Sequence, residues 1–238
     1  MKAGVLLFVV TAVAACGGSS TKETTPPPPV VNAPEPEPVH EEPADDIVVE
    51  GAMGTVDKDR VQNAIESRAT QIDACYKGAL RATRYVGGTV ELEVKIDSTG
   101  AVTSARVAGG DLGSWPVEKC LLGLVRAANL GKPSGGPIAV TRIPLERQGR
   151  GKLEDATDEE SQVALEKSWK SLAECEGTHA GVQVVLYVAP NGHVTSAGFV
   201  AQAEPLDETW ADCAHEAVLA WKLPAPRGKV LRHRAMVP

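Results

Sequence analysis

The hydrophobic and polar positions of this chain follow one order twice. Residues 89–97 alternate apolar and polar side chains without exception, which is typical of a strand with one face on a core. A turn at 98–100 and a Val-Thr-Ser-Ala stretch at 102–105 come next, and the second half repeats both at 190–192 and 194–197. Because each turn ends in glycine, the pattern predicts two β-hairpins with three-residue turns.

The return strand of the first hairpin predicts an irregularity. An odd number of positions separates Val102 from Val107, although side chains alternate between the two faces of a strand. Both can point into the core only if a β-bulge lies between them, near Ser104 and Ala105. Phe199 holds the position of Val107 in the second copy.

A stretch with helical spacing precedes each hairpin. In the first copy Val61, Ile65 and Ile72 share one apolar face, and Asp57 is placed to cap the start of the helix. In the second copy Thr157 and Glu160 have the spacing of a capping box. One helix is therefore expected before each hairpin.

A second helical stretch follows each hairpin, from near Ser114 and from near Leu206, and a last strand closes each copy, at about 137–145 and 228–237. The order α-β-β-α-β occurs in both copies. We therefore expect an α+β fold of two tandem domains, each with a small antiparallel sheet and two helices on one face.

The predicted organisation has five segments. They are a lipoprotein signal peptide at 1–15, a Pro/Glu-rich disordered tether at 16–56, a first domain at 57–146, a linker at 147–156 and a second domain at 157–238. The tether is inferred from its prolines and its charge, since residues 17–50 hold eight acids and one lysine. A proline-rich ligand for a partner is the alternative for that segment.

The remaining charge excludes one class of partner. The whole chain has a net charge of −7, and the segment 17–50 by itself accounts for that value. The rest is close to neutral and has no concentrated basic face of the kind that binds nucleic acid. Arg142, Arg147, Arg150 and Lys152 do gather near the linker. A solvated linker is expected there, with contact to an anionic envelope polymer as the alternative.

The N-terminus has the pattern of an export signal. After Lys2, residues 3–15 are apolar apart from Gly4 and Thr11, a run too short to span a membrane, which takes about 20 residues. The Val-Ala-Ala-Cys stretch that ends at Cys16 resembles the lipobox of bacterial lipoproteins. That resemblance implies acylation of Cys16 and a membrane anchor. A secretory signal cleaved nearby is the alternative.

The other four cysteines take matching positions in the two copies. Cys75 and Cys120 lie on the apolar stripes of two helices on one sheet face, and Cys175 and Cys213 repeat the arrangement. In an oxidising envelope the repeat favours one disulfide bond within each domain, Cys75–Cys120 and Cys175–Cys213. Free thiols and metal ligands are the alternatives, and no repeated Cys or His spacing supports a metal site.

The sequence lacks local catalytic motifs. There is no Gly-x-Ser-x-Gly elbow, no HExxH, no phosphate loop and no dinucleotide fingerprint. Glu91 and Glu93 are paired acids, but they fall on the wet face of a predicted strand, where such residues usually serve solubility. We expect a protein that is not an enzyme and needs no cofactor.

The first hairpin resembles the TonB C-terminal domain, in the pattern that runs from Gly88 through Ile96 to Gly100 and Val107. The segment 221–226, Trp-Lys-Leu-Pro-Ala-Pro, is similar to the close of that family. Tyr76 after the first paired cysteine resembles the cysteine-containing AgmX/PglI-type variant of envelope proteins. The resemblance implies recruitment of a partner strand at an exposed sheet edge. It does not imply energy transduction, because a lipid site stands in place of the transmembrane anchor of TonB.

Together these patterns predict a lipid-anchored adaptor on the periplasmic side of the inner or outer membrane. It would engage an envelope protein or peptide through the last strands of its sheets. Val230, Arg232, Arg234 and Arg142 are the candidate partner-binding residues, with protection of the edges by charge as an equal alternative. The second hypothesis is a structural envelope spacer that contacts peptidoglycan.

Overall fold

The computed structural model describes residues 53–81, 83–177 and 181–238. The predicted signal peptide, Cys16 and nearly all of the predicted tether lie outside these residues. Both repeats belong to one compact unit, Val48–Pro238.

The first repeat is an α+β unit with a four-stranded sheet of order β1-β4-β2-β3. Strand β1 runs parallel to β4, and the other neighbours are antiparallel. Its elements are β1 (Met53–Gly54), α1 (Lys58–Glu66), α2 (Ala69–Ala79), β2 (Gly88–Ile96), β3 (Val102–Gly110), α3 (Trp115–Arg126) and β4 (Ile138–Arg147).

The second repeat has the same architecture, with a four-stranded sheet of order β5-β8-β6-β7. Its elements are β5 (Leu153–Asp155), α4 (Asp158–Leu165), a 3₁₀ helix (Trp169–Glu174), β6 (Val182–Val188), β7 (Val194–Ala201), α5 (Glu208–Leu219) and β8 (Val230–Met236). The predicted fold class is confirmed. Each repeat gains a short parallel strand, β1 or β5, in stretches that the sequence predicts as tether and linker.

The Val-Thr-Ser-Ala stretches mark the same β-bulge in both repeats. The pairing between the hairpin strands shifts at Thr103 and again at Thr195. Each threonine hydroxyl donates to the carbonyl of the strand opposite, that of Lys95 or Tyr187, at 3.2 Å. The predicted bulge between Val102 and Val107 is confirmed, one residue before the expected place.

The first helix of each repeat is broken where the sequence predicts continuity. In the first repeat α1 ends at Glu66 and α2 begins at Ala69. The side chains of Ser67 and Arg68 both donate to the Ala64 carbonyl, at 2.8 and 2.9 Å. These local hydrogen bonds compete with the helical ones, so they account for the break.

Both predicted disulfide bonds are present. Cys75–Cys120 joins α2 to α3, and Cys175–Cys213 joins the residue after the 3₁₀ helix to α5. Each bond therefore ties together the two helical segments that cover one face of a sheet.

The two repeats share a continuous hydrophobic core. On β2 the polar residues Glu91, Glu93 and Lys95 stay at least partly exposed, whereas nearly every residue of β6 is buried. The second face of the β6 sheet is covered by the first repeat: the Tyr187 hydroxyl donates to the Gly87 carbonyl at 2.9 Å. A strand that is buried on both faces has an almost continuously apolar sequence, and β6 has such a sequence.

Candidate binding site

The predicted edge strands lie inside their sheets. Strand β4 has β2 on one side and the short β1 on the other, and β8 lies between β6 and β5. The prediction that 137–145 and 228–237 form open edges is therefore wrong where these short parallel strands pair with them. Along β8, the partners of β5 are Val230, Leu231 and Arg232.

The second sheet has β5 at one edge and β7 at the other, and side chains close the outer flank of β7. The Ala197 carbonyl accepts from His215 Nδ1 at 3.1 Å, and the Phe199 N–H donates to Glu118 Oε2 at 2.9 Å. The Ala201 carbonyl accepts from Arg106. These three backbone groups lie on one flank of β7 and already have hydrogen-bond partners. That flank therefore offers no row of free donors and acceptors to a partner strand.

Arg232 lies between the repeats and not at an exposed edge. Its side chain is 9% exposed, and its guanidinium bonds both carboxylate oxygens of Asp155, at 2.6 and 3.0 Å. It also forms an ion pair with Asp111 of the first repeat at 2.7 Å. The interpretation of Arg232 as a partner contact is therefore wrong. Hydrogen bonds from Arg232 are the main factor that lowers the pKa of the Asp155 carboxyl.

The other candidate contact residues are dispersed. Val230 is half-buried and packs against the core. Arg142 is exposed on the wet face of the first sheet, with ion pairs to Glu91 at 2.8 Å and to Glu93 at 3.3 Å. Arg234 is partly exposed, lies beyond the three residues of β8 that pair with β5, and forms an ion pair at 3.6 Å with Asp155. The structure thus brings Arg232 and Arg234 together at Asp155, whereas Arg142 lies on the other sheet.

A groove of about 600 Å³ opens on the second repeat. Helix α4, the start of β8 and the segment 222–224 form its walls. Its apolar surface comes from Val163, Ala164, Leu223, Pro224 and Leu231, with Lys167 and Lys222 among its polar lining residues. Val163 is 71% exposed, although it lies on a helix that packs on the sheet. The volume falls within the range of about 300–1,000 Å³ usual for ligand sites.

The first repeat closes the equivalent place. There the side chain of Arg60 lies over Gly131, so close that a Cβ on the glycine would stand 2.9 Å from Arg60 Nε. In the second repeat the matching positions are Glu160 and Pro224, since Leu130 and Leu223 make the equivalent hydrogen bonds to the turn glycines. Glu160 turns back to accept the Thr157 N–H at 2.8 Å, completing the predicted capping box. The groove is thus a feature of the second copy.

A serine–histidine pair lies at the groove, with His233 among the lining residues and Ser161 behind it. Ser161 Oγ and His233 Nδ1 are 3.1 Å apart, and burial lowers the pKa of the His233 imidazole. Ser161 is fully buried and does not line the groove, so its hydroxyl is not presented to a substrate. The pair satisfies two buried polar groups, which is a packing role.

The described residues contain no group of three or more His, Cys, Asp or Glu side chains arranged to hold a metal ion. In the same part of the chain, no helix has both the length and the apolar character needed to cross a membrane. The chain matches no protein-family model, no curated protein and no solved structure. The resemblance to the TonB C-terminal domain stays a prediction that rests on the hairpin motif.

Sequence reasoning missed the two residues that matter most here. Val163 is an apolar residue on the polar side of a short helix, a signal that could have indicated a binding surface. Glu118 is an acid in the first turn of a helix otherwise rich in core residues, and it is 2% exposed. Its role in closing β7 depends on contacts across the two repeats, which no local pattern reveals.

Proposed function

We propose that this protein is a lipid-anchored binding protein of the cell envelope, whose second repeat receives an apolar segment of an envelope protein or peptide. The groove along α4 carries the proposal, because it combines a volume of about 600 Å³ with a mainly apolar lining. Val163 is exposed at this groove and gains most from being covered by a partner.

The difference between the two repeats supports this assignment. Both copies keep the bulged hairpin, the disulfide bond and the helix that follows. The groove distinguishes the copies, since Arg60 covers the equivalent place in the first copy and the second is open. A duplicated scaffold in which one copy carries an open apolar groove is what a binding module requires.

The anchor and the tether complete the proposal. Acylation at Cys16 follows from the lipobox-like stretch, and the proline- and glutamate-rich segment would hold the folded unit away from the membrane. Strand addition is retained as a second mode at the end of β8, where Arg234 and Met236 lie beyond the pairing with β5.

Site-specific photo-crosslinking in cells tests the groove. A photoreactive phenylalanine analogue replaces Val163 in the full chain, and in the control it replaces Asn63, the exposed residue at the matching position of α1. We expect a discrete protein adduct from position 163 and none from position 63. The substitution Val163→Glu, introduced beside a second probe at Lys167, should abolish the adduct because it places a charge on the apolar wall.

Three other outcomes would overturn the assignment. Equal adducts from positions 163 and 63 would show contact without selection by the groove. An adduct that survives Val163→Glu but is lost with Met236→Pro would assign the partner to the flank of β8, since proline cannot donate to a strand. Retention on the peptidoglycan sacculus with no protein adduct would favour the structural spacer.

A further inference from the structure

A second concave site lies on the first repeat, at the end of α2 and the end of β4. It has a volume of about 250 Å³, and five cationic side chains line it: Lys77, Arg81, Arg84, Arg147 and Arg150. The site is separate from the groove on α4, and it shares no lining residue with it.

The positive charge in this pocket is largely uncompensated. Lys77 and Arg147 both pair with the single carboxylate of Asp73. Among the described residues, no ion pair is formed by Arg81, Arg84 or Arg150. Elsewhere in the described chain, arginines such as Arg106 and Arg232 have carboxylate partners.

The backbone holds these like charges together. The Arg150 N–H donates to the Arg84 carbonyl at 2.7 Å. The adjoining chain segments touch at Gly87 and Gly149, where a Cβ on either glycine would collide with the opposite backbone. The backbones of Arg84 and Arg150 are therefore held side by side, and the exposed side chains of both residues line the pocket, where a bound anion would relieve their mutual repulsion.

The pocket is also partly preorganised. The Arg147 guanidinium lies over the Tyr76 ring, 5.1 Å from its centroid, and this contact limits the freedom of that side chain. Leu80 and Val86 add apolar wall to the site. Arg147 therefore loses less side-chain entropy on binding an anion than an unrestrained arginine would.

We propose that this pocket binds a phosphate group. Arginine guanidinium groups match the oxygens of phosphate in a bidentate manner, and several of them can share a phosphate because it offers three or more acceptor oxygens. A carboxylate and a phosphodiester each have two free oxygens and a single charge, so they use the arrangement less fully than a phosphate monoester, which has three free oxygens and a charge of about −1.5 to −2. The ligand is thus a phosphate monoester, and this inference is independent of the groove.

Isothermal titration of the full chain at fixed ionic strength tests the proposal. Glycerol 3-phosphate is the monoester probe, and glycerophosphoglycerol is a diester that carries the same glycerol groups. We expect saturable binding of glycerol 3-phosphate at one site and weaker binding of glycerophosphoglycerol. The double substitution Arg84→Gln with Arg150→Gln should weaken binding of glycerol 3-phosphate by about tenfold or more.

Matched variants keep the test specific. Lys132→Gln with Arg227→Gln removes the same charge from residues that do not line the pocket, and we expect its affinity to stay within about twofold of wild type. The side chains of Arg84 and Arg150 form no hydrogen bond or ion pair with the residues that the structure describes, so the double variant should keep the thermal midpoint of wild type. Three results would each overturn the inference: no saturable binding of glycerol 3-phosphate, an equal loss in the control, or tighter binding of either citrate or glycerophosphoglycerol.

Discussion

Glu118 joins the two repeats through one carboxylate. Its Oε1 accepts the Ser114 N–H at the start of α3, at 3.0 Å, and its Oε2 accepts the Phe199 N–H at the edge of β7, at 2.9 Å. Both donors are backbone groups that would otherwise be unpaired within the protein. This side chain therefore caps a helix of one repeat and closes a sheet of the other.

The buried position of Glu118 predicts a pH dependence of stability. Burial raises the pKa of its carboxyl from 4.5 to about 7, against the opposing effect of the Phe199 and Ser114 amides. Between these values the folded state binds a proton that the unfolded state has released. The contribution of Glu118 to stability is thus complete below pH 4.5 and is lost as the pH rises towards about 7. The stability advantage of wild type over Glu118→Gln should shrink across this window, in urea denaturation at a series of pH values.

The difference in the free energy of unfolding between wild type and Glu118→Gln isolates the effect of Glu118, because the other titrating groups are common to both proteins. Burial lowers the pKa of His215 and of His233, so these side chains act in the opposite direction in each protein. Glu204→Gln removes a carboxyl from an exposed position and serves as the control. If the stability advantage of wild type over Glu118→Gln stayed constant or grew with pH, the prediction would be wrong. The hydrogen bonds from the Phe199 and Ser114 amides, and not burial, would then determine whether the folded protein prefers the charged or the neutral carboxyl.

At the scale of elements, the disulfide bonds carry the next prediction. Cys75–Cys120 and Cys175–Cys213 close loops with sequence separations of 45 and 38 residues. Loops of such similar length should give similar stabilisation, about 2–5 kcal/mol for each bond. Replacing either pair by alanine should therefore lower the free energy of unfolding by a similar amount, measured by urea denaturation under oxidising conditions. A loss confined to one pair would contradict the chain-entropy account.

The elements that could be predicted from the sequence are those with local causes. The hairpins, the bulge beside Val102 and the capping box at Thr157 each follow from a few neighbouring residues. The disulfide pairing followed from comparing the two copies. The short strands β1 and β5, by contrast, pair only with distant strands, and no periodicity can reveal a strand of two or three residues.

The candidate site was less predictable for the same reason. Arg232 and Arg234 lie two positions apart on a strand, which is also the spacing of a wet strand face. Their surroundings depend on the other repeat, because Asp111 lies on the far side of the interface from Arg232. The groove could not be predicted either, because it depends on where two matching side chains lie. Arg60 covers this place in the first repeat, whereas Glu160 turns back to the start of its own helix in the second.

At the scale of the whole molecule, the two repeats behave as one structural unit. Trp115 of the first repeat packs edge-on against Phe199 of the second, with ring centroids 6.0 Å apart, and Phe199 packs in turn on Trp210 at 5.3 Å. The Tyr85 hydroxyl donates to the bulge residue Thr195 at 2.6 Å. Because apolar packing and hydrogen bonds both cross the interface, unfolding should be a single cooperative transition.

The substitution Gly198→Ala, which adds one methyl group, tests whether the two repeats are closely docked. Gly198 lies on β7 directly beneath Glu118, and an added Cβ would stand 2.5 Å from the Ser114 nitrogen and still closer to the Glu118 carboxylate. Gly198→Ala should therefore force the repeats apart, shift the fluorescence of the buried Trp115 towards that of exposed tryptophan and open the 147–153 segment to proteolysis. Gly123→Ala is the control, because a Cβ there meets nothing within 4 Å and should stabilise α3 by up to about 1 kcal/mol. Unchanged fluorescence and protease resistance in Gly198→Ala would refute close docking of α3 on β7.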